Sequence, residues 1–356
     1  MSIEQFAEGI AFLASRSPVF GDKPLSVTLI ANPRAGGFTR PFVYSRHLGE
    51  LKLLARRAAD LPARDAPVTF RLHATAYPKH AAEVTRALAE EARAAPEVER
   101  LVVTAGGDGT TLEALSTLMD LSEAERSRFV VLRLPMGTGN DGADSRELLP
   151  ALELLLGPSR FDRQSALRVT PASAGKPGGK GPWWSFNIAS LGADAFVSDM
   201  TNRLKLTFPG DSYKLWVELA TVFYDALWPT RGYEVRAWDA RGREVKRFHG
   251  DMLLLAMGVS GRRTYGSNKP ILPDEDDVCL VRQMPLLRKL IVKGPLTTGR
   301  HRGYPEVDLF SAAKVQIGFR HRALVQMDGE AERLEAEDFP VTFERTEPAI
   351  RVIRKA

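Results

Sequence analysis

Strand-like and helix-like segments alternate along the first 150 residues of this chain, and this pattern constrains the fold more than any other feature. Short apolar runs have the length of buried strands, and longer amphipathic runs lie between them. The predicted strands cover 25–31, 68–74, a run that opens at 101–103, and 129–134, and the predicted helices cover 41–60, 79–95 and 112–119. Strand–helix–strand units join parallel strands through a right-handed crossover. The sequence therefore predicts a three-layer α/β domain with a doubly wound parallel sheet.

The pattern changes after residue 150, where short strands follow one another closely with turn residues between them. Such spacing is typical of an antiparallel β-sandwich. A stretch rich in Gly, Lys and Pro at 174–182 is interpreted as a loop between predicted strands at 166–171 and 183–189. We expect two domains, 1–150 and 151–345, and a tail at 346–356 whose packing on the first domain is left open.

Composition narrows the class of protein. The single Cys279 excludes an internal disulfide framework and a thiolate zinc site. The chain has no run of about 18 apolar residues that would span a membrane, and its start lacks the basic residues of a secretory signal. These features predict a cytoplasmic protein.

Positive charge is concentrated in the second half of the chain. The net charge is +5, yet residues 1–150 hold 18 basic and 19 acidic residues, against 31 and 25 in the remainder. A basic second domain is suited to an anionic membrane surface. No aromatic-interleaved basic motif points to nucleic acid, and a homodimer is left open.

Glycine-rich loops follow three of the predicted strands. They are Asn32 to Gly37, then Gly106-Gly107-Asp108-Gly109-Thr110, then Pro135 to Asp141. Open parallel sheets bind ligands at the carboxyl ends of their strands. Glycine there lets backbone N–H groups approach a phosphate, and the next helix points its positive end at the anion. Three such loops on one sheet predict a phosphate site.

Asp108 adds a constraint to that site, because a carboxylate in a phosphate loop repels its ligand. Its presence implies either Mg²⁺ between the two or a role in proton transfer. The loops do not have Walker A spacing, since no Gly-Lys-Ser/Thr follows, and no GxGxxG fingerprint follows the first strand.

The motifs GGDGT with Glu113 downstream, PMGTGND, NIASLGADA at 187–195 and VQMDGE at 325–330 occur in this order along nearly the whole chain. Together they resemble the diacylglycerol kinase catalytic family, which includes bacterial lipid kinases and sphingosine kinases. The resemblance implies an ATP-dependent kinase that phosphorylates a lipid hydroxyl, such as that of diacylglycerol or a sphingoid- or monoacylglycerol-like lipid. It also implies an α/β domain for the nucleotide, a β-sandwich for the lipid, and a location at the inner membrane surface.

The resemblance also carries functional residues onto this chain. It implies ATP contacts at Asn32, Arg34, Thr75, Gly106, Gly107, Gly109, Thr110, Glu113, Gly137, Thr138, Gly139, Asn140 and Gly329. A phosphoryl acceptor needs a carboxylate to take its hydroxyl proton. Family members are thought to use either the glutamate of the DGE element, here Glu330, or the aspartate of the glycine-rich loop, here Asp108. We assign Glu330 as the base and Asp108 as the organiser of Mg²⁺ and phosphate.

Two metal sites are implied as well. Asp108 and Asp141 are the candidates for the catalytic Mg²⁺. The family's acidic loop, associated with a structural metal, appears as Pro273-Asp274-Glu275-Asp276-Asp277, so Asp274 and Asp277 are candidates for a structural Mg²⁺. A solvated acidic turn is the alternative for that loop.

Two rival functions remain open at this stage. GGDGT alone is shared with NAD kinases, so a kinase of a soluble acceptor is one alternative. A lipid- or nucleotide-binding protein without catalysis is the other, and the presence of Asp108, Asp141 and Glu330 counts against it.

Overall fold

The structure is a computed structural model that describes residues 3–137, 140–204, 212–265 and 269–356. Within them the chain forms two compact units: unit 1 comprises residues 1–165 with 348–356, and unit 2 comprises residues 166–347. The strands are β1 (Leu25–Ala31), β2 (Val68–Ala74), β3 (Glu99–Gly106), β4 (Phe129–Pro135), β5 (Ser159–Gln164), β6 (Leu167–Thr170), β7 (Trp183–Ser185), β8 (Ile188–Gly192), β9 (Tyr233–Trp238), β10 (Glu244–Gly250), β11 (Met252–Gly258), β12 (Arg263–Tyr265), β13 (Lys269–Leu272), β14 (Val278–Arg282), β15 (Val307–Phe310), β16 (Lys314–Gly318), β17 (Ala323–Met327), β18 (Glu330–Leu334), β19 (Val341–Arg345) and β20 (Ile350–Lys355). The helices are α1 (Ile3–Ser15), α2 (Gly36–Thr39), α3 (Pro41–Ala59), α4 (His80–Ala94), α5 (Asp108–Met119), α6 (Glu123–Arg126), α7 (Leu148–Glu153), α8 (Ala193–Leu204), α9 (Ser212–Leu227) and α10 (Leu286–Thr298).

Unit 1 is built on one six-stranded sheet with the order β2-β1-β3-β4-β20-β5. Every pair is parallel except β20 with β5. The inner strands are buried along their whole length because helices cover both faces, which explains their continuous apolar runs. One core cluster joins α1, α3 and α7 to the sheet through residues such as Phe6, Leu51 and Leu152.

Unit 2 is an antiparallel sandwich. Its sheets have the orders β10-β9-β16-β19-β6-β7 and β15-β14-β11-β8-β17-β18. Side chains from both, among them Val169, Leu191 and Met257, share one core cluster. A second cluster packs α8, α9 and α10 on the outer face of the sheet that contains β8 and β11. The predicted fold class is confirmed for both parts of the chain.

The structure corrects two details of the sequence prediction and answers a third that was left open, the packing of the tail. The predicted strand at 183–189 is two strands, because the amides of Phe186 and Asn187 donate to the side chain of Asp328 and leave the ladder. The first unit extends to residue 165 rather than 150, because β5 pairs with β20. Residues 350–355 form a central strand of the unit 1 sheet, parallel to β4.

Among the described residues, no helix is both long and apolar enough to cross a membrane.

Candidate active site

The loops that follow β1, β2, β3 and β4 meet at one edge of the unit 1 sheet, which we call the carboxyl edge. Register places Ala31 opposite Ala105 and Gly106 opposite Pro135. Past the ends of the strands, the amide of Asn32 donates to the Ala105 carbonyl at 2.9 Å, and that of Thr75 to the Ala31 carbonyl at 2.8 Å. The parallel register thus brings three predicted glycine-rich loops and Thr75 together.

Glycine is required where these loops touch. A Cβ on Gly137 would lie 2.6 Å from the Cα of Gly107, and one on Gly106 would lie 2.6 Å from the Thr110 Oγ1. The amide of Gly37 donates to the Met136 carbonyl at 2.8 Å, which ties the first loop to the third. The carboxyl edge is therefore a surface of closely packed backbone, which lets a ligand approach N–H groups directly.

Helix α5 presents its N-terminus at this edge. It starts at Asp108, and its N-cap residue is Gly107, which has no side chain to cap the helix. The first-turn N–H groups of a helix lack partners within the helix, and the helix dipole adds positive potential there. Asn32 contacts the same turn, with its Nδ2 3.5 Å from the Thr110 Oγ1, and the side chain of Arg34 is exposed nearby in sequence. The arrangement is suited to an anion such as a phosphate.

The third loop is shaped by Asn140, which has a left-handed φ of 56°. Its Oδ1 accepts from the Gly137 amide at 2.7 Å, and its Nδ2 donates to the Pro135 carbonyl at 3.2 Å. Asparagine adopts this conformation more readily than other non-glycine residues and can bond its own loop. Thr138 and Gly139, both predicted ATP contacts, lie outside the described residues.

Asp108 is joined to the third loop. Its Oδ1 accepts from the Gly142 amide at 3.2 Å, which brings the residue next to Asp141 to the start of α5. Asp141 has a largely buried side chain, 3.5 Å from the guanidinium of Arg146. Mg²⁺ in phosphoryl-transfer sites is bound by one or two carboxylates together with phosphate oxygens. The donor set of Asp108 and Asp141 fits that requirement, although the described residues hold no group of three or more His, Cys, Asp or Glu arranged for a metal.

Glu113 accepts hydrogen bonds from two backbone amides that the sequence did not reveal as its partners. Its Oε1 accepts from the Lys79 amide at 2.8 Å and its Oε2 from the Ala81 amide at 3.2 Å. A carboxylate there caps the start of α4 and offsets its dipole. An ATP contact at Glu113 stays a prediction, and the structure adds this helix-capping role.

A buried ion-pair network behind the third loop was missed by sequence reasoning. Arg133, inside β4, donates to Asp144 at 2.6 Å, and Arg354 on β20 donates to the same carboxylate oxygen at 2.5 Å. Burial alone would raise the pKa of Asp144, but the two arginines outweigh it and hold the pKa below its usual value. The signal was the arginine in the otherwise apolar strand FVVLRLP, because a buried arginine is rare without an acidic partner.

The DGE element of unit 2 forms the hairpin turn between β17 and β18. Asp328 and Gly329 have φ of 50° and 92°, as a tight hairpin turn requires. The Asp328 carboxylate accepts four hydrogen bonds, from the Ser185 hydroxyl at 2.7 Å and from the amides of residues 186, 187 and 188 at 2.6, 3.0 and 3.1 Å. Burial raises the pKa of Asp328 although these donors oppose it. Asp328 therefore fixes the turn to the β7–β8 connection.

This anchoring determines where Gly329 and Glu330 sit. The Gly329 amide donates to the Gln326 Oε1 at 2.7 Å, and its carbonyl accepts from the Asn202 Nδ2 at 2.7 Å. Glu330, the first residue of β18, pairs with Met327 and has an exposed side chain. The predicted base is thus an exposed carboxylate on a rigid turn.

Asp194, at the start of α8, is linked to the same turn. Its Oδ2 accepts from the Ser190 hydroxyl at 2.5 Å and from the Gln326 Nε2 at 3.1 Å. Burial raises the pKa of Asp194 to about 6, against the hydrogen bonds that it accepts. The residue lines a cavity that opens to solvent. The walls of the cavity are mostly apolar and include Val197, Leu253, Ile271, Met284, Val292 and Leu296. The sequence places Asp194 in the motif NIASLGADA but does not reveal a role for it.

The acidic loop of unit 2 is closed by arginines. Arg302 donates to Asp274 and to Asp276, each at 2.5 Å, and Arg345 donates to Asp277 at 2.6 Å. The remaining oxygens of Asp274 and Asp277 accept from the amides of residues 276 and 312. The hydrogen bond from Arg302 lowers the pKa of Asp274, whereas burial raises that of Asp277. These carboxylates do not fit a structural Mg²⁺, because their oxygens already have donors.

Comparison with known proteins bears on both units. Residues 26–155 match the family described as the diacylglycerol kinase catalytic domain. Two structures of proposed diacylglycerol kinases from Bacillus anthracis str. Sterne have TM-scores of 0.60 and 0.59 with 17% and 16% identity, and each comparison covers 92% of this chain and 96% of the other. A third, of a diacylglycerol kinase from the same organism, has a TM-score of 0.57 with 15% identity at the same coverage. At this identity the likeness concerns the fold. Among curated proteins, none matches the chain.

Proposed function

We propose that this chain is a kinase that transfers the γ-phosphoryl group of ATP to a lipid hydroxyl, because residues 26–155 match the family described as the diacylglycerol kinase catalytic domain. The acceptor is diacylglycerol or a sphingoid- or monoacylglycerol-like lipid. The reaction consumes ATP and the lipid alcohol and yields ADP, the lipid phosphate ester and a proton.

The observation that carries this proposal is the backbone surface at the carboxyl edge. A Cβ on Gly137 would collide with the Cα of Gly107, and one on Gly106 would collide with Thr110, next to the start of α5. Phosphoryl transfer depends on positioning and charge stabilisation more than on covalent chemistry by the protein. Preorganised N–H groups supply both at no cost of reorganisation.

Each residue then has a role that its chemistry supports. Asn32 and Arg34, in the first loop, contact the nucleotide. The hydrogen bond from Asn32 to Thr110 stabilises the start of α5. Asp108 and Asp141 would hold Mg²⁺, which when bound neutralises charge on the phosphates. Glu330 takes the proton of the acceptor hydroxyl, since its carboxylate is exposed on a fixed turn where a substrate can reach it.

The cavity in unit 2 supports a lipid acceptor over a soluble one. Its walls are mostly aliphatic, and its polar members include Asp194 and Tyr265. Apolar pockets with a few fixed polar groups suit small amphiphilic ligands. An acyl chain would fill the apolar walls while a carboxyl such as Asp194 recognises a polar head.

The test is a transfer assay with purified protein, labelled ATP and Mg²⁺ on a panel of diacylglycerol, monoacylglycerol and sphingoid lipids, with NAD as the soluble rival. We expect label in at least one lipid and none in NAD. Glu330→Gln is expected to reduce kcat by about 10²- to 10⁴-fold. Its matched control, Glu332→Gln on the same hairpin, is expected to retain activity. Label in NAD alone would replace the lipid acceptor with a soluble one.

A further inference from the structure

Gln326 is a buried glutamine on β17, the strand between β8 and β18 in one sheet of the sandwich. Its exposed fraction is 2%, and it shares a face of the strand with Leu324, which packs in the apolar cluster that includes α8. Glutamine is mostly found at protein surfaces, and burying its amide is costly unless hydrogen bonds satisfy it. The partners of Gln326 therefore indicate why it is there.

The side-chain amide of Gln326 has partners at both ends. Its Oε1 accepts from the Gly329 amide at 2.7 Å, and because a backbone N–H can only donate, this contact fixes which atom is the oxygen. Its Nε2 donates to the Ser190 hydroxyl at 2.9 Å and to the Asp194 carboxylate at 3.1 Å. The Tyr265 hydroxyl is a further hydrogen-bond partner of that carboxylate. Gln326 thus bridges the wall of the unit 2 cavity, which Asp194 lines, and the turn of the DGE element.

Gly329 is the residue of that turn with the most conformational freedom, and it directly precedes the proposed base. Its φ of 92° lies in the region that favours glycine. Gln326 holds the peptide unit before Gly329 through its N–H, and Asn202 of α8 holds the peptide unit after it through its carbonyl, each at 2.7 Å. Because both peptide units are held, both backbone torsions of Gly329 are fixed. The direction in which the chain enters Glu330 is therefore fixed as well.

Attachment of the turn to the sandwich does not by itself require these contacts. Asp328 already supplies that attachment, because its carboxylate accepts four hydrogen bonds. The hydrogen bonds of Gln326 and Asn202 act one residue further along, at the peptide units next to Glu330. Since the Glu330 side chain is exposed, its position depends on this backbone more than on the packing of the side chain.

We propose that Gln326 is a positioning residue that holds Glu330 in place to take the proton of the lipid hydroxyl. It does so by bridging Gly329 to Asp194 in the cavity wall. A displacement of about 1 Å in a positioned group can reduce a rate by about a hundredfold. The inference rests on the proposed function, because it takes Glu330 as the base.

The first test compares Gln326→Met with the wild type in the lipid transfer assay. Methionine is unbranched and similar in size, but its thioether is a weak acceptor for Gly329 and cannot donate to Asp194. We expect kcat to fall by about tenfold to a hundredfold, with circular dichroism used to check that the variant is folded. Gln316→Met, at a half-buried glutamine on β16 in the other sheet, is the control and should keep the wild-type kcat.

The second test separates positioning from a general loss of structure. A residue that acts through Glu330 has nothing to position once that carboxylate is replaced, so the effects of the two substitutions should not add. In the Glu330→Gln background, Gln326→Met is expected to lower the residual rate by less than about threefold. A further loss of about tenfold or more in the double variant would overturn the inference.

The third test uses Gln326→Glu and applies even if the methionine variant does not fold. The introduced carboxyl can accept from the same backbone amide, but it can donate to Asp194 only while the two carboxyl groups share a proton. Ser190, Tyr265 and Lys269 act on the same carboxylate and are unchanged. The kcat relative to wild type at the same pH should be near one at about pH 6 and fall severalfold by about pH 8.5, as the shared proton is lost. An equal ratio at both pH values contradicts the bridge to Asp194 and with it the inference.

Failure of the inference and failure of the proposed function give different results. If the wild type transfers label to a lipid and Glu330→Gln loses that transfer, the proposed function stands. A wild-type kcat in folded Gln326→Met then overturns the inference alone. Transfer to no lipid by the wild type overturns the proposed function and the inference with it.

Discussion

At the residue scale, the aspartate of the DGE element is a structural anchor, whereas its glutamate, the proposed base, has an exposed side chain. Asp328 accepts hydrogen bonds from one hydroxyl and three backbone amides. The sequence predicts the turn from Asp-Gly between two strand-like runs. It does not predict the donors, because they come from residues about 140 positions earlier in the chain.

The first prediction concerns Asp328→Asn. An amide has one acceptor oxygen where the carboxylate has two, so at least one of the four donors is left unsatisfied in a buried place. We expect the free energy of unfolding to fall by about 2–4 kcal/mol, measured by denaturant titration. Glu332→Gln, exposed on the same hairpin, is the control and should change it little. Equal stability of the two variants would contradict the anchoring role.

The second prediction concerns Asp194, whose pKa burial raises to about 6 from 3.8. Between these values the folded protein holds a proton that the unfolded chain releases, so the contribution of Asp194 to stability is lost as pH rises through this window. Asp194→Asn cannot ionise. Relative to that variant, the wild type should lose about 2–3 kcal/mol of unfolding free energy between pH 4 and pH 7. A difference that stays constant with pH would show that Asp194 has an ordinary pKa.

At the element scale, the carboxyl edge depends on loops that meet backbone to backbone. The alternation of strands and helices predicts that edge, because parallel strands end on the same side. The contact of Gly107 with Gly137 is beyond prediction from sequence, since it arises from the register of β3 against β4. For the same reason the split between β7 and β8 went unpredicted: Trp183 to Ala189 has continuous strand character, and a distant carboxylate removes its middle from the ladder.

The third prediction tests this contact with Gly137→Ala. The added Cβ would lie 2.6 Å from the Gly107 Cα, so the loops must separate. Small displacements of positioning groups reduce rates strongly, and we expect kcat/KM for ATP to fall by about tenfold to a hundredfold. Gly142→Ala in the same loop meets only an ordinary contact at 3.5 Å and should retain activity. Similar kinetics for both variants would mean that the close approach is not needed.

The fourth prediction concerns the acidic loop. Because Arg302 bridges Asp274 and Asp276, thermal unfolding of the wild type should be indifferent to EDTA or added Mg²⁺ in the absence of nucleotide. Arg302→Ala leaves neighbouring carboxylates unpaired, and its Tm should fall by a few degrees and recover in part with Mg²⁺. Arg262→Ala, which removes the exposed pair with Glu275, is the control. A drop in the wild-type Tm with EDTA would restore the structural metal.

At the scale of the whole molecule, the sequence predicts the structure of unit 1 better than that of unit 2. The strands of unit 1 were predictable up to β4. Strand β20 was not, because it belongs to unit 1 but follows the whole sandwich of unit 2 in the chain. The site residues of unit 1 follow from strand ends. The cavity of unit 2 does not, since it depends on which sides of α8 and α10 pack inward.

The central claim is that this protein is a kinase that phosphorylates a lipid hydroxyl through Asp108 and Glu330. The most direct measurement is the single-turnover rate of label transfer from ATP to diacylglycerol, and to the other lipids of the panel, with saturating Mg²⁺, in the wild type, Asp108→Asn and Glu330→Gln. The account predicts transfer to at least one lipid by the wild type and a loss of about a hundredfold or more in each variant, with folding unchanged. Wild-type transfer to no lipid, or undiminished transfer by both variants, would contradict it.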